Sequence, residues 1–173
     1  MPSKPRQNGG SAEGSAHTGR GRAGDAPLDA TNLRLLTELQ ADARLSLAEL
    51  GRRVGLSSPA VAERVQRLEA AGVIRGHHAD IDPAALGLAL SVVIRVRPLP
   101  GQLQGVAELA RRTPEVAWCH RITGEDCYIA WLDVRDVGHL EEVIDRFVVL
   151  GQTTTSIVQS SPVPRRGIAI DVA

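Results

Sequence analysis

The 173-residue chain carries 20 Lys and Arg and 20 Asp and Glu, so its formal net charge is zero. This balance excludes a protein that attracts nucleic acid through a strong overall positive field. Its aromatic residues are two Trp, one Tyr and one Phe, too few for a protein that stacks single-stranded bases on aromatic platforms. The length and a hydrophobic content of 43% allow one medium core or two small ones.

The cysteine content and the apolar pattern indicate the compartment. Cys119 and Cys127 are too few for a disulfide framework, which favours a reducing environment. The longest apolar stretch is too short to cross a bilayer, and the N-terminus lacks the apolar core of a signal peptide. We expect a soluble cytoplasmic protein with no membrane association.

Changes in composition divide the chain into five predicted segments. Residues 1–27 are rich in Gly, Ser and Ala, and we expect a disordered tail because they offer little apolar surface to bury. The others are a helix-turn-helix domain (28–75), a linker or wing (76–87), a second domain (88–165) and a C-terminal tail or short strand (166–173).

The spacing of apolar residues predicts two helices at the start of the first domain. Asp29 can cap the first helix, in which Leu33, Leu36 and Leu39 form a stripe. Ser46 and Glu49 form an S-x-x-E capping box at the start of the second. The predicted buried face of the second helix is Leu47, Leu50 and Val54, and its predicted end is Gly55.

A third predicted helix follows after a tight turn. It begins at Ser57 or Ser58, has Pro59 in its first turn, and buries Val61, Val65 and Leu68. Three short helices with a tight second turn are typical of a helix-turn-helix, whose last helix enters the major groove of DNA. The residues that we expect to contact DNA are Arg52, Arg53, Ser57, Ser58, Ala60, Glu63, Arg64 and Arg67. The alternative is a three-helix subdomain with a solvated charged face.

The second domain shows strand periodicity first, with Leu90, Val92, Ile94 and Val96 on the predicted buried face. A helix, two strands around the turn Thr123-Gly124-Glu125-Asp126, a second helix and a last strand follow. The second helix is predicted to bury Leu140, Ile144, Phe147 and Val148. The order is β-α-β-β-α-β, a ferredoxin-like arrangement, and residues 168–172 add a possible short strand. The predicted fold class is therefore α+β, with an N-terminal winged helix-turn-helix and a C-terminal ferredoxin-like domain.

The run LDATNLRLLTELQADARLSLAELGRRVGLSSPAVAERVQRLEAAGVIRGHHADIDPAALG resembles the Lrp/AsnC, or feast/famine, transcription regulators. Shared elements are L-D…L-L…L-Q-x-D-x-R and L-A…V-G-L-S…V-x-x-R-V-x-x-L-E-x-x-G-V-I. The resemblance extends over about residues 28–165. It implies a sequence-specific regulator that binds double-stranded DNA, whose second domain forms homodimers, often assembled into octamers, and binds a small effector, usually an amino acid.

The resemblance also implies where an effector binds: the turn of the central hairpin and the last strand. The turn reads TGEDCY where relatives read T-G-D-x-D-Y, so Cys127 replaces the usual acid and Asp126 lies one place earlier. The implied effector residues are Gly124, Glu125, Asp126, Tyr128, Thr153, Thr154, Thr155 and Ser156. A carboxylate there can meet an α-ammonium and a hydroxyl can meet a carboxylate. The alternative is solvated turn acids and threonines that only favour a strand.

No catalytic, cofactor or metal site is predicted. Cys119 and His120 are adjacent in a strand, so their side chains point to opposite faces and cannot share one ion. Two rival functions remain open. One is an enzyme resembling the tetrapyrrole decarboxylases built on this architecture, which have histidines in their cleft. The other is an amino-acid-sensing assembly module that does not bind DNA.

Overall fold

The computed structural model describes residues 28–171, so the predicted disordered tail (1–27) lies outside the described residues. The chain forms two compact units. Of the described residues, one unit comprises 28–78 together with 167–171, and the other comprises Ala79–Arg166. Within 28–171 the helices are all too short or too polar to cross a membrane.

The first unit contains α1 (Ala30–Ala41), α2 (Leu47–Val54) and α3 (Ser58–Ala70). The predicted start of α1 is confirmed, because the Asp29 carboxylate accepts the backbone N–H of Asn32 at 2.7 Å. Ser46 likewise caps α2 by accepting the N–H of Glu49 at 3.2 Å. The core of this unit is the buried cluster Leu35, Leu50, Val54 and Val61, which Leu39, Leu45, Leu56 and Val65 flank.

Two details of the helix predictions are wrong. Leu47 is 42% exposed because it is the first residue of α2 and lies beyond the edge of the core. In α1 the fully buried residue is Leu35, while the predicted stripe residues are only half-buried. Ser57 precedes α3, as predicted, but its side chain makes no capping hydrogen bond.

Two glycines shape the turn between α2 and α3. Gly55 ends α2 in the left-handed conformation, with φ of 75°, as its position after the helix predicts. Gly51 lies where the chain folds back, and a Cβ atom there would lie 2.4 Å from the carbonyl oxygen of Leu56. The turn therefore passes close to α2 only because residue 51 has no side chain.

The segment that follows α3 forms no wing hairpin. The N–H groups of Val73 and Ile74 both donate to the carbonyl of Leu68, at 2.9 and 3.1 Å, so this short apolar run closes the end of α3. Residues 71–89 contain only a 3₁₀ turn at Pro83–Leu86. The C-terminal strand prediction is also wrong for residues 168–171, which are not in a strand. The backbone of Ile168 pairs instead with the Gln40 amide, at 2.7 and 3.1 Å.

The second unit has the predicted β-α-β-β-α-β order. Its elements are β1 (Leu90–Pro98), α4 (Leu103–Arg112), β2 (Val116–Arg121), β3 (Tyr128–Val134), α5 (Val137–Val148) and β4 (Gly151–Ile157). The strands form an antiparallel sheet in the order β2-β3-β1-β4. The ferredoxin-like arrangement is therefore confirmed.

The two faces of the sheet have different environments. The helix-covered face carries the predicted inward residues of β1 together with Tyr128, Ala130, Leu132 and Val134, which pack with α4 and α5. In α5, Val143 is fully buried, whereas the predicted core residue Val148 is 46% exposed. Val143 and Phe147 lie about one turn apart on the inner side of α5. Val148 is the next residue after Phe147, and the turn of the helix directs it away from the core. The other side, which we call the open face, is not covered by α4 or α5.

We predict that Gly51→Ala destabilises the protein. Alanine normally stabilises a helix relative to glycine, but here its Cβ overlaps a backbone oxygen that cannot move without opening the turn. The expected loss is about 1–3 kcal/mol in the free energy of unfolding, measured by urea denaturation. Gly138→Ala in α5 is the control, because its Cβ would approach only the Asp136 carboxylate, at 3.4 Å. Equal stability of Gly51→Ala and the parent would contradict the close approach.

Candidate DNA-binding and effector sites

The outer side of α3 is the candidate DNA-reading surface. Val61 and Leu68 are fully buried and hold the inner side of the helix in place. The opposite side and the helix start are exposed at Ser57, Pro59, Glu63, Gln66 and Arg67. Because Ser57 does not cap the helix, its hydroxyl remains available at the end where an α-helix offers unpaired N–H groups.

Arg67 is the more accessible of the two α3 arginines that we expect to contact DNA. Its guanidinium lies 3.6 Å from the carboxylate of Glu63, and both side chains are more than half exposed, at 56% and 70%. Such a surface pair is weak, so the guanidinium can exchange it for a phosphate or a guanine. Ser58 and Ala60 are only half-buried at the start of the helix.

Gln66 is an exposed residue of the same surface that the sequence interpretation missed. It follows Glu63 by three residues, so both lie on one side of α3. A glutamine amide can form two hydrogen bonds with the edge of adenine in the major groove. The spacing from Glu63 and Arg67 was the signal that could have found it.

The structure gives Arg64 a different environment from the one predicted. Its guanidinium donates to Asp29 Oδ2 at 2.7 Å and to Asn32 Oδ1 at 3.0 Å, and its side chain is only 25% exposed. The Arg64 hydrogen bond also lowers the pKa of the Asp29 carboxyl. Arg64 therefore braces α3 against the start of α1, and it does not project from the outer surface.

Arg52 and Arg53 at the end of α2 are held by Glu49. Arg52 donates to the Glu49 carboxylate at 3.0 and 2.6 Å, and Arg53 donates to it at 2.8 Å. Arg53 also reaches Glu38 at 2.7 Å. The hydrogen bonds from Arg52 and then Arg53 lower the pKa of Glu49. Arg52 remains 75% exposed, so it is the better placed of the two to meet a DNA phosphate.

The predicted effector turn lies beside two arginines of β1. Gly124 has φ of 104°, which a turn residue without a side chain adopts readily. Glu125 forms an ion pair with Arg97, and Asp126 lies 3.6 Å from the guanidinium of Arg95. The sequence interpretation missed both arginines, although their alternation with the buried residues of β1 placed them on the opposite face.

Tyr128 does not join this charged group. It is buried on the helix-covered face, and its hydroxyl donates to the carbonyl of Leu103 at 2.9 Å. The match to the family motif therefore identified a residue that packs under α4. The structure does not bring its hydroxyl to Glu125 or Asp126.

The hydroxyl residues of β4 are divided between the two faces of the sheet. Thr154 pairs with Arg95 and Ser156 pairs with Val93, which places both on the open face. Thr153 and Thr155 pair with Val96 and Ile94, whose side chains are in the core. Because successive strand residues alternate between faces, the structure brings only Thr154 and Ser156 of the four to the face that carries Arg95.

The open face has an apolar centre beside its charged end. The rings of Trp118 and Trp131 stack with centroids 6.1 Å apart, and Val93 and Ile129 lie on the same face. Cys119 pairs with Ala130 on the helix-covered face, and His120 pairs with Ile129 on the open face, as their alternation predicts. No group of three metal-ligating side chains occurs within residues 28–171.

Comparison with known proteins identifies both units. Residues 28–69 match the AsnC-type helix-turn-helix domain, and residues 91–168 match the Lrp/AsnC ligand binding domain. The chain is 32% identical to the transcriptional regulator LrpC of Bacillus subtilis over 133 residues, which cover 77% of this chain and 92% of LrpC. It is 38% identical to the regulator LrpA of Mycobacterium tuberculosis over 120 residues, which cover 69% and 80% of the two chains.

A solved structure shows the same fold. The feast or famine regulatory protein of M. tuberculosis, complexed with L-methionine, superposes with a TM-score of 0.78 at 34% identity. The match covers 83% of this chain and 99% of that one. The helix-turn-helix and the four-stranded antiparallel sheet are consistent with both family matches. The chain therefore belongs to the Lrp/AsnC family of DNA-binding transcriptional regulators and carries that family's ligand-binding domain.

Proposed function

We propose that this regulator reads double-stranded DNA through the outer side of α3, that it does so as a homodimer, and that an amino acid binds at its hairpin turn. The observation that carries the proposal is the exposed side of α3, which combines Arg67, Gln66 and an uncapped helix start. The proposed site of action is the cytoplasm.

The DNA contacts divide into base reading and phosphate binding. Gln66 and Arg67 lie on the side of α3 that would enter the groove, where an amide recognises adenine and a guanidinium recognises guanine. Ser57 at the helix start and Arg52 at the end of α2 are placed for phosphates. Arg64 contributes indirectly, because its bonds to Asp29 and Asn32 fix the direction of α3.

The open face of the sheet is the proposed dimer contact. Trp118, Trp131, Val93 and Ile129 form an apolar area that a second copy of the same face would cover. A two-fold pair then carries two reading heads, which suit pseudo-palindromic half-sites. Because residues 28–75 hold seven basic and six acidic side chains, one head binds weakly, and linking heads multiplies their affinity. We expect the dimers to assemble further, toward octamers, because the resemblance to the family implies it.

The charged end of the open face suits a zwitterion. Glu125 and Asp126 can accept an α-ammonium, while Arg95 and Arg97 can bind a carboxylate, with the Thr154 hydroxyl opposite Arg95. An amino acid would exchange two internal ion pairs for equivalent bonds to itself. The M. tuberculosis relative whose structure contains L-methionine supports this ligand class. The ligand would act by binding two states of the assembly unequally.

The regulator function is favoured over a tetrapyrrole enzyme by the environment of His139. His139 is buried, with one ring nitrogen 2.9 Å from Glu115 Oε1 and the other accepting the N–H of Arg135 at 3.3 Å. Both nitrogens are therefore occupied. The curated relatives compared above are named as transcriptional regulators.

We predict that Arg67→Ala weakens DNA binding at least about tenfold in a gel-shift assay on fragments selected by the parent protein. If Arg67 binds a phosphate, the salt dependence of binding also falls by about one counterion. Arg64→Ala is the comparison variant: removal of its bonds to Asp29 and Asn32 should lower the melting temperature. Unchanged DNA affinity of Arg67→Ala would refute the assignment of the α3 surface.

We predict that one or more of the twenty amino acids raises the melting temperature, because a ligand that binds only the folded state stabilises it. Glu125→Gln combined with Asp126→Asn should reduce that affinity about tenfold or more through the loss of charge-assisted hydrogen bonds. Glu141→Gln, an exposed acid on α5, is the control. An equal shift in the double variant and the parent would place the amino acid elsewhere.

We predict that Trp131→Glu converts the dimer to monomers in sedimentation velocity, because it places a charge in the centre of the proposed apolar contact. Val149→Glu is the control, since Val149 is 69% exposed at the end of α5, away from the sheet. Circular dichroism checks that both variants fold. A dimer of unchanged stability with Trp131→Glu would exclude the open face as the interface.

A further inference from the structure

A cleft of about 490 Å³ lies between α4 and the edge strand β2, at the opposite edge of the sheet from β4. It lies mainly on the helix-covered side of this sheet edge, and its lining includes Trp118 of the proposed dimer contact and the buried ring of Tyr128, but otherwise none of the residues assigned above to the amino-acid site. Its volume falls within the range of small-molecule sites.

The wall of the cleft is built from periodic positions of two elements. Gln104 and Arg111 lie two turns apart on α4, with alanine side chains between them. Cys119 and Arg121 lie two residues apart on β2 and so share a face. The Tyr128 ring is fixed beside them because its hydroxyl is bonded to Leu103. The cleft therefore combines an apolar and aromatic wall with a polar rim.

The charge of the cleft is positive and uncompensated. Arg111 and Arg121 both line it, and neither forms an ion pair with any residue in the described part of the chain. No acidic side chain lines the cleft. Burial raises the pKa of the Cys119 thiol, with Arg111 opposing the effect, so sulfur adds no negative charge near neutral pH.

We propose that this cleft is a second ligand site, which binds a monocarboxylate with an apolar body and no ammonium group. Two guanidiniums supply charge-assisted hydrogen bonds for the carboxylate, and the alanine, valine and tyrosine surfaces receive the alkyl or aryl body. An ammonium group would enter beside two positive charges with no acid to pair with, which selects against amino acids themselves. The 2-oxo acids, which are deaminated amino acids, belong to the favoured class.

The ligand class distinguishes this site from the proposed amino-acid site at the hairpin turn. That turn offers both acids and arginines, whereas the cleft offers only arginines. The domain would therefore respond separately to an amino acid and to a carboxylate related to it. The second site does not depend on the first, and different variants test each.

The experiment is calorimetric titration of the full chain with three matched compounds: 4-methyl-2-oxopentanoate, L-leucine and the neutral 4-methyl-2-oxopentanamide. We expect the oxo acid to bind, and the amide to bind at least about tenfold more weakly. Arg111→Gln and Arg121→Gln should each weaken oxo-acid binding about tenfold or more. Both side chains are exposed, so these variants should fold. Arg112→Gln, the exposed neighbour that does not line the cleft, should bind like the parent.

Three results would overturn the proposal. The first is no heat of oxo-acid binding up to its solubility limit. The second is binding that survives Arg111→Gln and Arg121→Gln but is lost in Arg95→Gln or Arg97→Gln, which would place the oxo acid at the hairpin turn. The third is that the two arginine variants change only the sedimentation coefficient, which would make the cleft a contact between copies of the chain.

Discussion

The carboxylate of Asp29 holds two helices of the DNA-binding unit at once. One oxygen caps α1 by accepting the Asn32 N–H, and the other pairs with Arg64 on α3. The ion pair joins residues 35 positions apart in the chain. Together with the buried Val61 and Leu68, it fixes the inner side of α3, so that a defined opposite side faces outward. The proposed reading of DNA through the outer side of α3 depends on that fixed orientation.

The two faces of the sheet in the second unit have different roles. The helix-covered face supplies the core, and the Tyr128 hydroxyl on that face is bonded to the Leu103 carbonyl, so it does not serve the proposed amino-acid site at the hairpin turn. The open face offers stacked tryptophans at its centre and four charged side chains at one end. The proposed dimer contact and the proposed amino-acid site are therefore adjacent on the open face. A ligand bound at the site could change the dimer contact directly.

Local sequence signals predicted most of the fold. Asp29, Ser46 and Gly55 marked helix ends because capping is a short-range interaction, and period-two alternation found β1 and its buried side chains. The sequence did not predict the contacts between residues that are far apart in the chain. The pairing of Arg64 with Asp29, and of Arg97 with Glu125, depends on contacts across the folded unit that no local pattern records. Thr153 and Thr155 were grouped with Thr154 and Ser156 for another reason, since a motif match does not state which face each strand residue occupies.

The most direct test of the central claim is site-specific photocrosslinking to DNA selected by the parent protein. A photoreactive group would be attached at Gln66→Cys on α3 or at Thr37→Cys on the exposed side of α1, with Cys119 and Cys127 replaced by serine. We expect the α3 probe to crosslink to bases in the bound site and the α1 probe to give no crosslink. Crosslinking from α1 alone would show that another surface of the unit meets the duplex.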